Sequence, residues 1–465
     1  MSRTMSKEEE AKVLHTVQDS TGAAEQQSTD GEKKIFDLLA VIRDRVEPMK
    51  VEQFGEMPES AQMLFLHLFD RVKDPRVQGR CKYSLGNILC LVLLCVGQLG
   101  KSSCTAVADR IYTCRKAFYD MGLLKKREPG EGEEDVPESS LIEVPSHDTI
   151  RRILSLVDPE ELDQYLSSEL SEYLRTISAL CQQSRRHISI DGKVVRGSGR
   201  SDNTRTPLPN IQVLNFYDNS TAVCFRSSPI PTKTNEIPEA QDYLRRLNLK
   251  NTVVTFDALH TQRETVTIIS HRKGIYVAPV KDNQQGLKNE IMARLEKFEK
   301  QVSHAVMEDR DFDFYTLPKS YATDGFTGMK TFVRMVSHVR SDGDTIMYFI
   351  SNTTDTQLIM EAICERWDIE NGFHREKDWL VDEDGVTLTN KKAVMNIVVM
   401  NNYIVACARL YSALTGIEFR LAKDAVRVSP ETVFASICSS MNDQELKESI
   451  QKQLEAGKRK KRASK

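Results

Sequence analysis

No two of the ten cysteines are spaced as Cys-x2-Cys, so neither a thiolate zinc site nor a disulfide framework is indicated. Scattered reduced thiols fit a reducing, cytoplasmic compartment. No Gly-rich phosphate loop occurs, which removes the nucleotide-cradling classes. The N-terminal residues are polar and charged rather than those of a signal peptide. The most apolar run, "ILCLVLLCVG" at 88–97, is too short to cross a bilayer and reads as a buried helix; no membrane partner is expected. Strong net charge is missing too: the total is −3, but it is unevenly spread. Residues 1–60 carry a net −5 and 128–143 a net −7, which leaves +9 on the remainder. Residues 185–273 hold 14 Lys/Arg against 8 Asp/Glu, a modest basic region of the kind that meets nucleic acid. The content of 40% hydrophobic and 28% charged residues is that of a globular protein with a real core.

Three acidic residues stand out against this background. Asp191 ends the run "HISID" and Asp257 ends "VVTFD". Both runs are short, apolar and β-branched, as buried strands are. An Asp at such an end emerges at the carboxyl edge of a sheet, where α/β folds collect ligands. A lone Asp there is usually a turn former or helix cap. A third acid, Glu370, lies in the helical stretch "CERWDIENGFHREKDW". Arg366, Glu370, His374 and Lys377 are spaced 4, 4 and 3. At roughly 100° per residue they share an arc of about 80°. Cations beside a carboxylate suit a site across which a phosphate backbone lies. Two strand-end carboxylates and one helical carboxylate make a hard-oxygen site for Mg²⁺, of the kind found in RNase H-like nucleotidyl transferases. Two such ions clamp the attacking and leaving oxygens of a phosphoryl displacement.

At this level the chain resembles the H-repeat-associated (ISAs-type) DDE insertion-sequence transposases. The matching stretches are "SIDGKVVRGS" (189–198), "KTNEIPEA" (233–240), "VVTFDALHTQRETVTII" (253–269), "YVAPVKDNQQGL" (276–287) and "RWDIENGFHREKDWLVDEDG" (366–385). Upstream, 72–94 and 145–154 resemble the family's N-terminal helical region. The resemblance implies that Asp191, Asp257 and Glu370 are the catalytic, metal-holding triad. Two Mg²⁺ per site are expected, with Mn²⁺ able to substitute. The implied partners are transposon terminal inverted repeats and target DNA, met by a homodimer near the nucleoid. The implied reaction cuts an element end to free a 3′-OH, which then attacks target DNA in the same pocket. Related transposases carry Tyr-x2-Arg-x3-Glu-x6-Lys; here Arg366, Glu370 and Lys377 match it, and Ile363 fills the Tyr position. Lys193, Arg196, His260, Lys281, Asn283, Arg366, Trp367, His374 and Lys377 are the expected DNA contacts. Asp382, Glu383 and Asp384 are rival acids. The residues alone leave two other readings open: a DNA-binding protein whose site is unused, and a Mg²⁺-dependent nuclease without strand transfer.

The expected fold is α/β, an RNase H-like catalytic domain preceded by an α-helical N-terminal domain. An acidic disordered leader (1–34) precedes the helical domain (35–183), a possible DNA-end binder containing an acidic loop at 128–143. The catalytic domain spans 184–425, with three antiparallel strands, then αβαβ, and a mainly β insertion at about 288–352. Residues 426–465 form a helical segment and basic tail.

Overall fold

The computed structural model describes residues 53–442, apart from 78, 131–135, 168–169, 171–184, 201–206, 220, 232–234, 308, 324 and 340–342. The expected leader and basic tail lie outside the described residues, as does the end of the expected helical domain, 171–183.

The chain opens with helices α1 (Glu59–Leu66), α2 (Leu85–Leu99), α3 (Cys104–Thr113) and α4 (Arg115–Asp120). The α2 helix begins where the Ser84 hydroxyl accepts from the Asn87 N–H, and it ends at Gly100 in the left-handed region. Being apolar on every side, it is buried on every side, as a core helix must be. A two-stranded ribbon, β1 (Lys125–Lys126) with β2 (Ile142–Glu143), closes the base of the acidic loop. Helix α5 (His147–Leu156) starts at Ser146, whose hydroxyl accepts from the Thr149 N–H.

One mixed sheet follows, built from β3 (Arg186–Val195), β4 (Ile211–Asp218), β5 (Val223–Pro229), β6 (Thr252–Phe256), β7 (Ile275–Val280), β8 (Ser303–Met307), β9 (Arg310–Thr316), β10 (Thr331–Val339) and β11 (Gly343–Ser351). Its order is β5-β4-β3-β6-β7-β11-β10-β9-β8. Helices α6 (Glu236–Arg246), α7 (Arg263–His271) and α8 (Gln285–Lys297) connect the strands from β5 to β8. The sequence separates three antiparallel strands from an αβαβ run, and the structure has that element order. Strand β6 is buried along its whole length because it runs parallel between β3 and β7 with both faces covered. Val254 and Phe256 enter a core with α6, α7 and α8, while Val253 enters the opposite one with α9 (Thr356–Trp367).

Two features go beyond the sequence reading. The mainly β segment expected as an insertion joins the central sheet: β11 pairs antiparallel with β7, and β8–β11 prolong the same sheet. The helices before the sheet also share one apolar core with those after it, α10 (Arg375–Val381), α11 (Lys391–Thr415), α12 (Phe419–Val428) and α13 (Pro430–Asn442). Buried Asn396 of α11 donates to the Leu154 and Val157 carbonyls, satisfying the C-terminus of α5. Among the described residues, α11 is longer than the helix that holds the run at 88–97. Its stretch Lys391–Ser412 has the length and composition to cross a membrane, but from Ala393 onward it is buried inside the chain and serves as core.

Candidate active site

The sheet register brings the two aspartates together. β3 and β6 run parallel, and their last pair is Ile190 with Phe256. One step farther on each strand stand Asp191 and Asp257. Asp257 leaves the sheet and starts a short 3-10 turn, Ala258–His260. Asp191 does not end its strand, contrary to the sequence reading. β3 continues to Val195 because its antiparallel ladder with β4 persists beyond the end of β6.

Glu370 arrives from the other side. The expected continuous α-helix is interrupted by a π-helical stretch, Asp368–His374, between α9 and α10. Such i→i+5 stretches are rare and gather at functional sites. The Arg366 guanidinium, almost fully buried, lies 3.0 Å from Glu370 Oε1 and 3.7 Å from Asp257 Oδ1. It therefore links the helical carboxylate to the strand-end one. His374 Nδ1 lies 3.4 Å from Asp191 Oδ2, and its Nε2 is 3.2 Å from Asn215 Nδ2. The Asn215 carbonyl oxygen is occupied by the Ser227 hydroxyl. Its amide thus donates to Nε2, and this network assigns the imidazole proton to Nδ1, facing Asp191. Burial holds the His374 pKa well below the ordinary value, with Lys377 and Lys193 adding to it, so the ring is neutral.

The carboxylates crowd one another. Burial pushes Asp191 up to about 7, helped by the charges of Glu370, Glu236 and Asp257 and opposed by Arg366. Asp257 goes the other way. Desolvation is its largest influence, but the Ala258 N–H with Lys281 and Arg366 outweighs it and lowers the pKa. Among the described residues, no three His, Cys, Asp or Glu side chains already stand close enough to hold one ion. The guanidinium between Asp257 and Glu370 accounts for part of that spacing. The donor set itself fits a hard divalent cation: all oxygen, and a buried carboxylate left protonated near neutral pH for want of positive charge.

The remaining expected contacts separate into two groups. Lys281 and Arg196 are exposed, Lys281 at 3.2 Å from Asp257 and Arg196 beside Asp384. Asn283 is exposed as well, but its amide donates to the Ala258 carbonyl and steadies the Asp257 turn. The others are internal. Lys377 is buried at 3.0 Å from the equally buried Glu383. Lys193 sits 3.2 Å from the same Glu383 and 2.6 Å from Asp378. His260 is buried, with Nε2 at 3.2 Å from Glu236. Trp367 packs against the α9 core with the Arg310 guanidinium 4.3 Å over its ring. In this conformation burial keeps Lys377 and His260 away from a DNA backbone, and their charge or polarity is spent on Glu383 and Glu236. Lys193 is half-buried and shared between buried Glu383 and exposed Asp378. Of the rival acids, Glu383 serves the two lysines and Asp384 serves Arg196, while Asp382 adopts the left-handed cap of α10. Ile363 is buried in the α9 core, so that position presents nothing to a ligand. Glu236 was not singled out by the sequence, although it lies within the quoted stretch 233–240. Its partners Gly192 and His260 come together only in the fold.

Comparison with known proteins decides the family. Residues 182–401 match the family described as "Transposase DDE domain", and 66–168 match one described as "DDE_Tnp_1-associated". The chain belongs to the DDE transposase family. Among its relatives is "Putative transposase YncI" of Escherichia coli O157:H7, 24% identical over 333 residues, 67% of this chain and 79% of that one. "H repeat-associated putative transposase YhhI" of E. coli K12 is 24% identical, covering 52% of this chain and 67% of the relative. A Xanthobacter autotrophicus protein named "Uncharacterized protein in dhlA 3′region" is 28% identical, and there the match spans 33% of this chain and about half, 49%, of the relative. Of solved structures, a piggyBac transposase synaptic complex with hairpin DNA aligns at 13% identity with a TM-score of 0.34, covering 92% of this chain and 82% of that one; a likeness that weak carries no argument.

Proposed function

We propose that this transposase is RNase H-like in its catalytic sheet and uses Asp191, Asp257 and Glu370 to hold two Mg²⁺ ions. In this reading it cuts DNA at the terminal inverted repeats of its element and joins the freed 3′-OH to target DNA as a homodimer. The observation that carries the reading is the adjacency of Asp191 and Asp257, one step past the last parallel β3–β6 pair. The strand order β5-β4-β3-β6-β7, three antiparallel strands and then two parallel ones, supports the fold. When bound, the ions would supply positive charge to the attacking and leaving oxygens of the phosphodiester. The protein's own share is positioning. His374, with its Nδ1 3.4 Å from Asp191 Oδ2, stands against that carboxylate and limits how it can turn. Asn283 fixes the turn that carries Asp257. Lys281 and Arg196, both exposed, are the cations placed to meet a phosphate backbone.

The test uses DNA carrying the element's flanking ends, with cleavage and joining scored separately. Asp191→Asn and Asp257→Asn are expected to abolish both reactions in Mg²⁺ or Mn²⁺ while DNA binding persists. Undiminished cleavage by either variant removes that Asp from the site. Cleavage without joining in the wild type favours a plain nuclease.

A further inference from the structure

Resting on the metal-site reading above, we infer that Glu236 supplies a fourth carboxylate to the ion-binding centre and that His260 holds it there. Glu236 is the first residue of α6, whose preceding residue, Asn235, caps the helix by accepting from the Ile237 N–H. A first-turn glutamate ordinarily points into water, where the helix dipole favours it. This one reaches across to β3. Its carboxylate lies against the backbone of Gly192, the residue directly after Asp191. A Cβ at Gly192 would overlap it, so the missing side chain is what admits the carboxylate. From the other side, buried His260 places Nε2 at 3.2 Å from Glu236 Oε2. His260 belongs to the turn that Asp257 begins. Glu236 is thus fixed between the elements carrying the two aspartates, and it is one of the charges that bear on Asp191. Ligating carboxylates of metal sites are themselves held by outer hydrogen bonds, which is the part His260 takes here. Charge gives a further reason. Two divalent ions bring four positive charges, beside those of Arg366 and Lys281, and Asp191, Asp257 and Glu370 offer only three negative ones; Glu236 lessens that excess with another hard oxygen donor.

The test is Mn²⁺ binding to the full chain, by calorimetry and by the metal-induced rise in melting temperature. Wild type is compared with Glu236→Gln, Gly192→Ala and Asp191→Asn. Glu236→Gln, and Gly192→Ala by displacing the same carboxylate, are each expected to weaken Mn²⁺ binding by about tenfold or more. The metal-free melting temperature of Glu236→Gln should be unchanged or higher, because a repulsive charge has gone. If Asp191→Asn loses Mn²⁺ while Glu236→Gln binds it as tightly as wild type, the inference is overturned and the His260 pair is a packing device. If Asp191→Asn binds Mn²⁺ like wild type, or wild type does not respond to Mn²⁺, the metal-site reading fails and this inference with it. Should Glu236→Gln fail to fold, Gly192→Ala decides on the same scale.

Discussion

Replacing Lys377 by methionine separates a DNA-contacting lysine from a buried one. The Lys377 ammonium lies 3.0 Å from Glu383, and both side chains are 1% exposed. The ammonium also sits 4.7 Å over the Phe373 ring. Breaking a buried pair by removing one partner costs about 3–5 kcal/mol, because the other charge stays behind in a poor solvent. Lys193 remains 3.2 Å from the same carboxylate and offsets part of that loss. We therefore expect the lower end, about 3 kcal/mol, in the unfolding free energy from urea titration. Removing both partners, Lys377→Met with Glu383→Gln, should recover more than about 1 kcal/mol of the single-variant loss through their coupling. The second measurement is affinity for duplex DNA across salt. A lysine that neutralises a phosphate contributes about one unit to the slope of log K against log salt. Buried Lys377 should contribute nothing, so the slope of Lys377→Met should equal that of wild type. A slope lower by about one unit with unchanged stability would refute the reasoning and return Lys377 to the DNA surface.

Arg366→Gln should lower the melting temperature of the metal-free chain, at a cost of about 2 kcal/mol for lost charged hydrogen bonding. Mn²⁺ should then raise the variant's melting temperature more than that of wild type, since the guanidinium no longer competes at Asp257 and Glu370; equal metal shifts would count against that competition. Burial pushes Asp163 up to about 6, against the opposing Ser167 hydroxyl, Arg226 and the Ser227 N–H. Its folded pKa lies above the unfolded value of 3.8, so the fold binds the proton more tightly, and the resulting stability is complete below about pH 4 and lost as pH rises through 6. Asp163→Asn should therefore gain on wild type by roughly 2–3 kcal/mol between pH 4 and 7.5 in urea unfolding; parallel pH profiles for the two proteins would contradict it.

The parts of the site that the sequence made legible are those set by local pattern. The run before Asp257 reads as a buried strand because β6 is apolar on both faces, and the strand ends where the run ends. Asp191 was harder to place. "GKVV" after it has no strong strand signature, and β3 is carried onward by pairing with β4. The π stretch at Glu370 leaves no mark in residue spacing, since an i→i+5 turn keeps the same neighbours in the chain. Lysines read as surface cations from their type alone. That Lys193 and Lys377 share buried Glu383 depends on the close of α10 folding back onto β3, which is a tertiary fact. Helix α11 carries no continuous apolar signature, because its polar residues, such as Asn396 and Arg409, interrupt the apolar run. Both are buried and partnered within the fold.

The π stretch lets one nearly continuous helix answer to two masters. Helix α9 is set in rotation by Ile359, Met360 and Ile363 against the sheet. Helix α10 is set by Leu380 and Val381 in the helical core and by Lys377 on Glu383. In a uniform α-helix these two phases would be locked together. Removing one residue from 368–374 would turn everything downstream by roughly 100° relative to α9. Leu380 would swing off its core and Lys377 off its carboxylate, even with every other side chain retained. The segment around Glu370 therefore tolerates changes of residue type far better than changes of length. Among relatives of this chain, insertions and deletions should stop short of it on both sides.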